Sequence, residues 1–242
     1  MSLNKKEKKL RVFAGPNGSG KTTIINEIRT QFNIGSFVNA DIIQESLNRL
    51  NYLDYSGIYH SFITTKEWLE YLNSCDRKVT SVLKSLIFTN YYLISSVRLD
   101  SYEAAIIADF FRSKLVSGML TFSYETVFSH QSKLEFLSSA RNNGFKIYLY
   151  FICTQDPKIN INRVKNRVQQ GGHDVSEDKI ESRYFRSLGL LKDAFLLSDS
   201  AFIIDTTIDR GEIILEKKNS QVSILVDEIP EWVDQYLLKF LN

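Results

Sequence analysis

Residues 15–23 read Gly-Pro-Asn-Gly-Ser-Gly-Lys-Thr-Thr and fit the pattern G-x-x-x-x-G-K-[ST] at each required position, Gly15, Gly20, Lys21 and Thr22. The chemistry open to such a stretch is polyphosphate binding. Glycines let the backbone of Gly15-Pro16-Asn17-Gly18-Ser19-Gly20 curl so that N–H groups point inward at an anion. A following helix turns its positive end to the same anion. Lys21 has the reach and charge for β- and γ-phosphates, the Thr22 hydroxyl suits Mg²⁺, and Thr23, next in the chain, is a further candidate for nucleotide binding.

Binding a phosphate is not yet a reaction, and further polar residues carry that question. Asp41 ends the run Phe37-Val38-Asn39-Ala40-Asp41. A carboxylate there can take a proton from an acceptor hydroxyl, help hold Mg²⁺, or simply cap a helix. Glu125 and Thr126 follow a third apolar run; Glu125 suits a hydroxyl-rich acceptor, a metal, or a helix cap. Arg163 and Arg167 stand at i,i+4 before Gly171-Gly172-His173-Asp174. Arginines near a moving phosphoryl group are worth about 10³–10⁵ in rate, and paired glycines allow a lid that excludes water; a solvated basic helix face is the other reading. Ser176 reads as a helix N-cap ahead of Arg183 and Arg186, one of which can reach back to the phosphates. His173 reads as a hydrogen-bonding lid residue, and His60 and His130 have no metal partners in the sequence.

The elements that must position these groups are legible as periodicity. Five apolar runs, 10–14, 36–39, 119–124, 146–152 and 201–205, alternate with helical stripes such as Ile24, Ile25, Ile28 and Phe32. Strands alternating with helices predict an α/β fold, a doubly wound parallel sheet of the P-loop NTPase type, nucleotide-kinase-like, with ligands at the carboxyl ends of the strands. The chain reads as a single domain over 1–242, interrupted by a mostly helical insertion at about 50–97, with the stripe Val79, Val82, Leu83, Leu86 and Ile87. The insertion's aromatics read mainly as its own core. The extension 212–242 reads as a β-hairpin around Lys217-Lys218-Asn219-Ser220, then a helix whose first turn holds Pro230.

Composition narrows the class. Of 242 residues 43% are hydrophobic, and 30 basic against 28 acidic side chains leave a net charge of +2, which argues against a nucleic-acid coat or a membrane-surface binder. Cys75 and Cys153 lack metal spacing and read as inert thiols of a reducing cytosol, so a cytoplasmic location is expected. No apolar run suits a membrane anchor.

Ala14–Thr23, Phe37–Asp41, Glu125-Thr126 and Arg163–Val175, extended by Arg183–Leu188, together resemble the zeta-toxin-like P-loop kinases, and more closely their stand-alone bacterial relatives often labelled predicted ABC-type ATPases. The resemblance covers about 10–47 and 103–210; the insertion has no counterpart. It implies binding of ATP and Mg²⁺ and phosphorylation of a hydroxyl on a small molecule, with UDP-N-acetylglucosamine the acceptor in the toxins. Asp41 is then the base, Glu125 and Thr126 touch the acceptor, and Arg163, Arg167, Arg183 and Arg186 are candidate phosphate contacts. An antitoxin-like protein partner is possible in this family and no such segment lies in this chain. A Leu-Ser-Gly-Gly-Gln segment is absent, which argues against a transporter subunit. Two alternatives stand beside the small-molecule kinase: a nucleoside or nucleic-acid kinase, and an ATP-gated protein-binding module with weak ATPase activity.

Overall fold

The structure is a computed structural model, and it describes residues 7–172, 174–208 and 211–241. In chain order the strands are β1 Lys8–Ala14, β2 Ser36–Val38, β3 Tyr52–Asp54, β4 Ile87–Thr89, β5 Tyr92–Ile94, β6 Phe122–Thr126, β7 Phe145–Cys153, β8 Ser200–Asp205, β9 Glu212–Lys218 and β10 Gln221–Ile224. The helices are α1 Lys21–Gln31, α2 Ala40–Leu50, α3 Thr65–Asn73, α4 Ser81–Ser85, α5 Ser101–Ser117, α6 Ser132–Asn142, α7 Pro157–Gln169, α8 Glu177–Gly189, α9 Leu191–Leu197 and α10 Glu231–Tyr236. They form two compact units, one from the chain up to Ile34 together with Glu125 onward, the other Gly35–Tyr124.

The first unit is built on β1, β7 and β8, parallel and in register as Val12↔Leu149↔Ala201. Parallel strands need cover on both faces and so carry near-continuous apolar runs. Leu10, Val12, Ala14, Ile147, Leu149, Phe151, Ala201 and Ile203 are fully buried. On the other face Phe13 stacks on Tyr150 and Tyr150 on Phe202, each at 4.9 Å between ring centroids. β9 and β10 join antiparallel, so the sheet is mixed rather than wholly parallel. The expected hairpin is present, tightened to the turn Asn219-Ser220, with Asn219 in the left-handed region at φ 55°. Pro230 takes the N-cap of α10 rather than its first turn, and the indole of Trp232 donates to Asp205 Oδ2 at 2.6 Å.

In the second unit β2 runs parallel to β6, with Phe37 opposite Ser123. The expected strand at 119–124 is shifted: Met119 turns at φ 50° after α5, and β6 starts at Phe122. The stretch 50–97 also departs from expectation. Instead of being mostly helical, it pairs α3 and α4 with a three-stranded antiparallel sheet of order β3-β5-β4. The apolar stripe holds through Leu83 and Leu86, but Ile87 already belongs to a strand in which Phe88 points inward. Asn90, at φ 50°, turns the chain toward β5. The aromatics do form a core: Trp68, Tyr55, Phe110 and Phe111 are almost fully buried with Phe88 among them, and the Trp68 indole donates to Leu83 O at 2.8 Å. Each such ring contributes about 1.5–3 kcal/mol of burial.

Candidate phosphate-binding site

The glycine loop leaves β1 at Ala14 and enters α1 at Lys21. Gly15, Gly18 and Gly20 have φ of 146°, 76° and 78°, a region that side chains other than glycine resist. Space adds a second reason at two of them. A Cβ on Gly15 would stand 1.9 Å from Ile152 O, and one on Gly18 2.4 Å from Asn160 O. The loop therefore lies directly on the end of β7 and on the first turn of α7. No side chain caps α1, and its first turn holds no acidic residue. The positive end of that helix is thus unneutralised by its own residues, which suits an anion. A narrow backbone cradle with a bare helix end fits a polyphosphate.

Lys21 is 7% exposed, and its ammonium donates to Gly15 O at 2.9 Å and Pro16 O at 2.8 Å. Glu125 Oε1 lies 3.8 Å away. A buried ammonium needs such acceptors, because an unpartnered charge in the interior is costly. Glu125 also acts on Arg29, whose pKa burial lowers and the carboxylate partly restores. The helix-cap reading of Glu125 drops out, since α6 begins only at Ser132, after Gln131. Thr126 sits beside it. Its carbonyl accepts from Gly15 N at 3.3 Å and its hydroxyl from Phe128 N at 3.2 Å.

The basic helices reach the same loop. Arg183 Nη1 donates to the Asn17 side-chain oxygen at 3.3 Å. Arg163 Nη2 donates to Thr206 O at 2.7 Å, and the Thr206 hydroxyl donates to Ser19 O at 2.8 Å. Ser19 is fully buried, and its own hydroxyl has no hydrogen-bond partner among the described residues. Thr22 and Thr23 are exposed on the first turn of α1, where a hydroxyl can meet a metal. Arg167 is exposed, with Gly172 packed on its stem. Arg186 turns back on its own helix, donating to Ser182 O and Oγ at 3.1 Å each. Ser176 occupies the N-cap of α8, but its hydroxyl makes no capping bond. His173 lies outside the described residues.

Asp41 belongs to the second unit, in the first turn of α2. The cap there is Asn39, whose Oδ1 accepts from Asp41 N at 2.8 Å and Ile42 N at 3.2 Å. This removes the helix-cap reading of Asp41. Its carboxylate is exposed and makes no hydrogen bond or ion pair among the described residues. Those residues also hold no group of three or more His, Cys, Asp and Glu suited to a metal, and no helix long and apolar enough to cross a membrane.

Three contributors to this site were not singled out by sequence: Asn160, Thr154 and Thr206. Asn160 is fully buried one turn before Val164, and that phase was the available signal.

No family model matches the chain. An uncharacterized protein of Haemophilus influenzae is 36% identical over 63 residues, which is 26% of this chain and 45% of that protein. Among solved structures, a chain of the AvrRxo1-ORF1:AvrRxo1-ORF2 complex with sulphate ions aligns at TM-score 0.59 and 15% identity, covering 96% of this chain and 63% of that one. The same complex with ATP aligns at 0.55 and 14%, covering 95% and 62%. A chain of the PezAT chromosomal toxin–antitoxin system of Streptococcus pneumoniae aligns at 0.52 and 15%, covering 98% and 80%. The chain thus spans less than two thirds of the AvrRxo1 chains and less than half of the Haemophilus protein. It shares the α/β fold of these AvrRxo1 and PezAT chains.

Proposed function

We propose that this protein is an ATP-dependent phosphotransferase that moves the γ-phosphoryl group to a hydroxyl of a small molecule, a nucleotide sugar such as UDP-N-acetylglucosamine being the first acceptor to test. One observation carries the reading. The glycine loop, the bare end of α1, the Lys21 ammonium and contacts from Arg163 and Arg183 all meet in the first unit. A solved complex of the same fold is described with ATP, which supports the nucleotide assignment. In this reading the loop and Lys21 hold the phosphates and Thr22 holds Mg²⁺. The acceptor oxygen attacks the γ-phosphorus, the bond to the bridging oxygen breaks, ADP leaves, and Asp41 takes the acceptor's proton. Glu125, Thr126 and His173 are assigned to the acceptor, and Arg167, Arg183 and Arg186 to the phosphates.

The test is phosphoryl transfer from radiolabelled ATP to nucleotide sugars, nucleosides and oligonucleotides. Lys21→Ala is expected to abolish nucleotide affinity, whereas Asp41→Asn keeps it and loses transfer. Wild-type transfer by Asp41→Asn would remove Asp41 as the base.

One observation favours a second reading, an ATP-gated module that docks a protein partner of the antitoxin kind. The outer face of β3-β5-β4 shows Tyr52, Ile87, Tyr92 and Ile94 at 43%, 53%, 42% and 38% exposure, an apolar patch of the sort that marks interaction sites. Nucleotide binding without transfer to any acceptor would favour this reading.

A further inference from the structure

Five side chains close a hydrogen-bonded circuit around the phosphate loop. Asn160 Nδ2 donates to Asn17 O at 2.6 Å. Asn160 Oδ1 accepts from the Thr154 hydroxyl, and Thr154 O accepts from the Tyr184 hydroxyl at 2.6 Å. Arg183, next to Tyr184 on α8, returns to Asn17 Oδ1. Thr154 and Asn160 are fully buried, and Tyr184 nearly so. The circuit joins the loop, the end of β7, the first turn of α7 and the middle of α8.

We propose that Asn160 is a positioning residue that locks the phosphate loop to the arginine-bearing helices α7 and α8, so that nucleotide affinity depends on the pairing of its carboxamide with Asn17 and Thr154. The proposal rests on the nucleotide-binding reading above. Its chemistry is specific to a carboxamide, because the Asn17 carbonyl only accepts and the Thr154 hydroxyl is free to donate. One end must donate and the other accept, over the length of one short side chain. Aspartate would set an acceptor against the Asn17 carbonyl. Alanine would take the carboxamide donor from the Asn17 carbonyl, while the Thr154 hydroxyl would keep Asp156 O at 3.2 Å. The contact also has no slack, since the Gly18 backbone rests on the Asn160 backbone. α7 holds the loop at a second point, through Arg163, Thr206 and Ser19, so losing Asn160 frees one side of the loop and leaves the other held.

The experiment is titration of the full chain with a fluorescent ATP analogue in the presence of Mg²⁺, alongside hydrogen exchange of residues 15–20. Asn160→Ala and Asn160→Asp are expected to weaken affinity about tenfold or more. Thr154→Val, which keeps the core's shape, is expected to weaken it about threefold by releasing the carboxamide. Thr154→Val combined with Asn160→Ala should lose less than the product of the single losses, because both act through the same carboxamide. Faster exchange should be confined to the loop. Wild-type affinity in folded Asn160→Ala and Thr154→Val, or strictly multiplicative losses when the two are combined, would overturn the proposal. Failure of the wild-type chain to bind the analogue would instead overturn the nucleotide-binding reading itself.

Discussion

Replacing Gly18 by alanine isolates the contact on which the phosphate loop depends. Two costs add. At φ 76° a residue with a Cβ loses about 1–2 kcal/mol to the left-handed region. The Cβ would also lie 2.4 Å from Asn160 O and 3.0 Å from its carbonyl carbon and Cα, all backbone atoms of a helix's first turn. Asn160 cannot give way without losing its 2.6 Å bond to Asn17 O, so the loop must shift, at the cost of about 1–3 kcal/mol typical of overpacking. The expected loss is therefore about 2–5 kcal/mol. Gly144→Ala provides the control. Gly144 has φ 86° and nothing within 4 Å of an added Cβ, so only the backbone cost of about 1–2 kcal/mol applies. Urea denaturation of both variants without nucleotide reads the difference directly from the midpoints. Equal losses would mean that the loop leaves α7 freely, which would refute the account of the loop as clamped.

Three further outcomes follow from buried groups. Trp232→Phe keeps the apolar ring but removes the donor to Asp205 Oδ2, and should destabilise by about 1.5–3 kcal/mol in the same assay. Burial pushes the Tyr71 and Tyr124 hydroxyls up to about 12 from 10.0. Their folded pKa lies above the unfolded one, so the stability they contribute is complete below pH 10 and is lost as pH rises from 10 toward 12. Denaturation midpoints should fall across that window; a flat profile would contradict the burial. Burial likewise raises the Cys153 thiol, while Cys75 is half-buried and free. One thiol should react with a disulfide reagent in the folded chain and the second only on unfolding, and two fast thiols would place Cys153 in contact with solvent.

Much of the fold was legible because its signals are local. The strands β1, β2, β7 and β8 fall on apolar runs bounded by glycine or polar residues, and α1 on a clean helical stripe. Where the signal failed, the physical reason differs from case to case. Strands β3, β4 and β5 are three residues long, too short for alternation to show against the helical stripe through Leu83 and Leu86. Helix α5 buries residues on most of its surface, from Ala104 through Phe111 to Leu115, so it lacks the polar face that marks a surface helix. Asp41 and Glu125 each carried a helix-cap reading that only the observed caps, Asn39 and Gln131, remove.

The candidate site shows a sharper division. The residues on which the phosphate-binding proposal rests are nine consecutive letters, because loop curl, helix dipole and lysine reach are all local properties. What holds that loop in shape is not local. Asn160 lies 143 residues from Asn17, Arg183 lies 166 residues from it, and Thr206 lies 187 residues from Ser19. Helical phase puts Asn160 on the buried side with Val164, but no periodicity links it to Asn17. The same loop sequence can therefore open many P-loop proteins, while the residues that tune it sit on helices far along the chain. Variation at Asn160, Thr154 and Thr206 should alter nucleotide affinity without touching the motif that announces it.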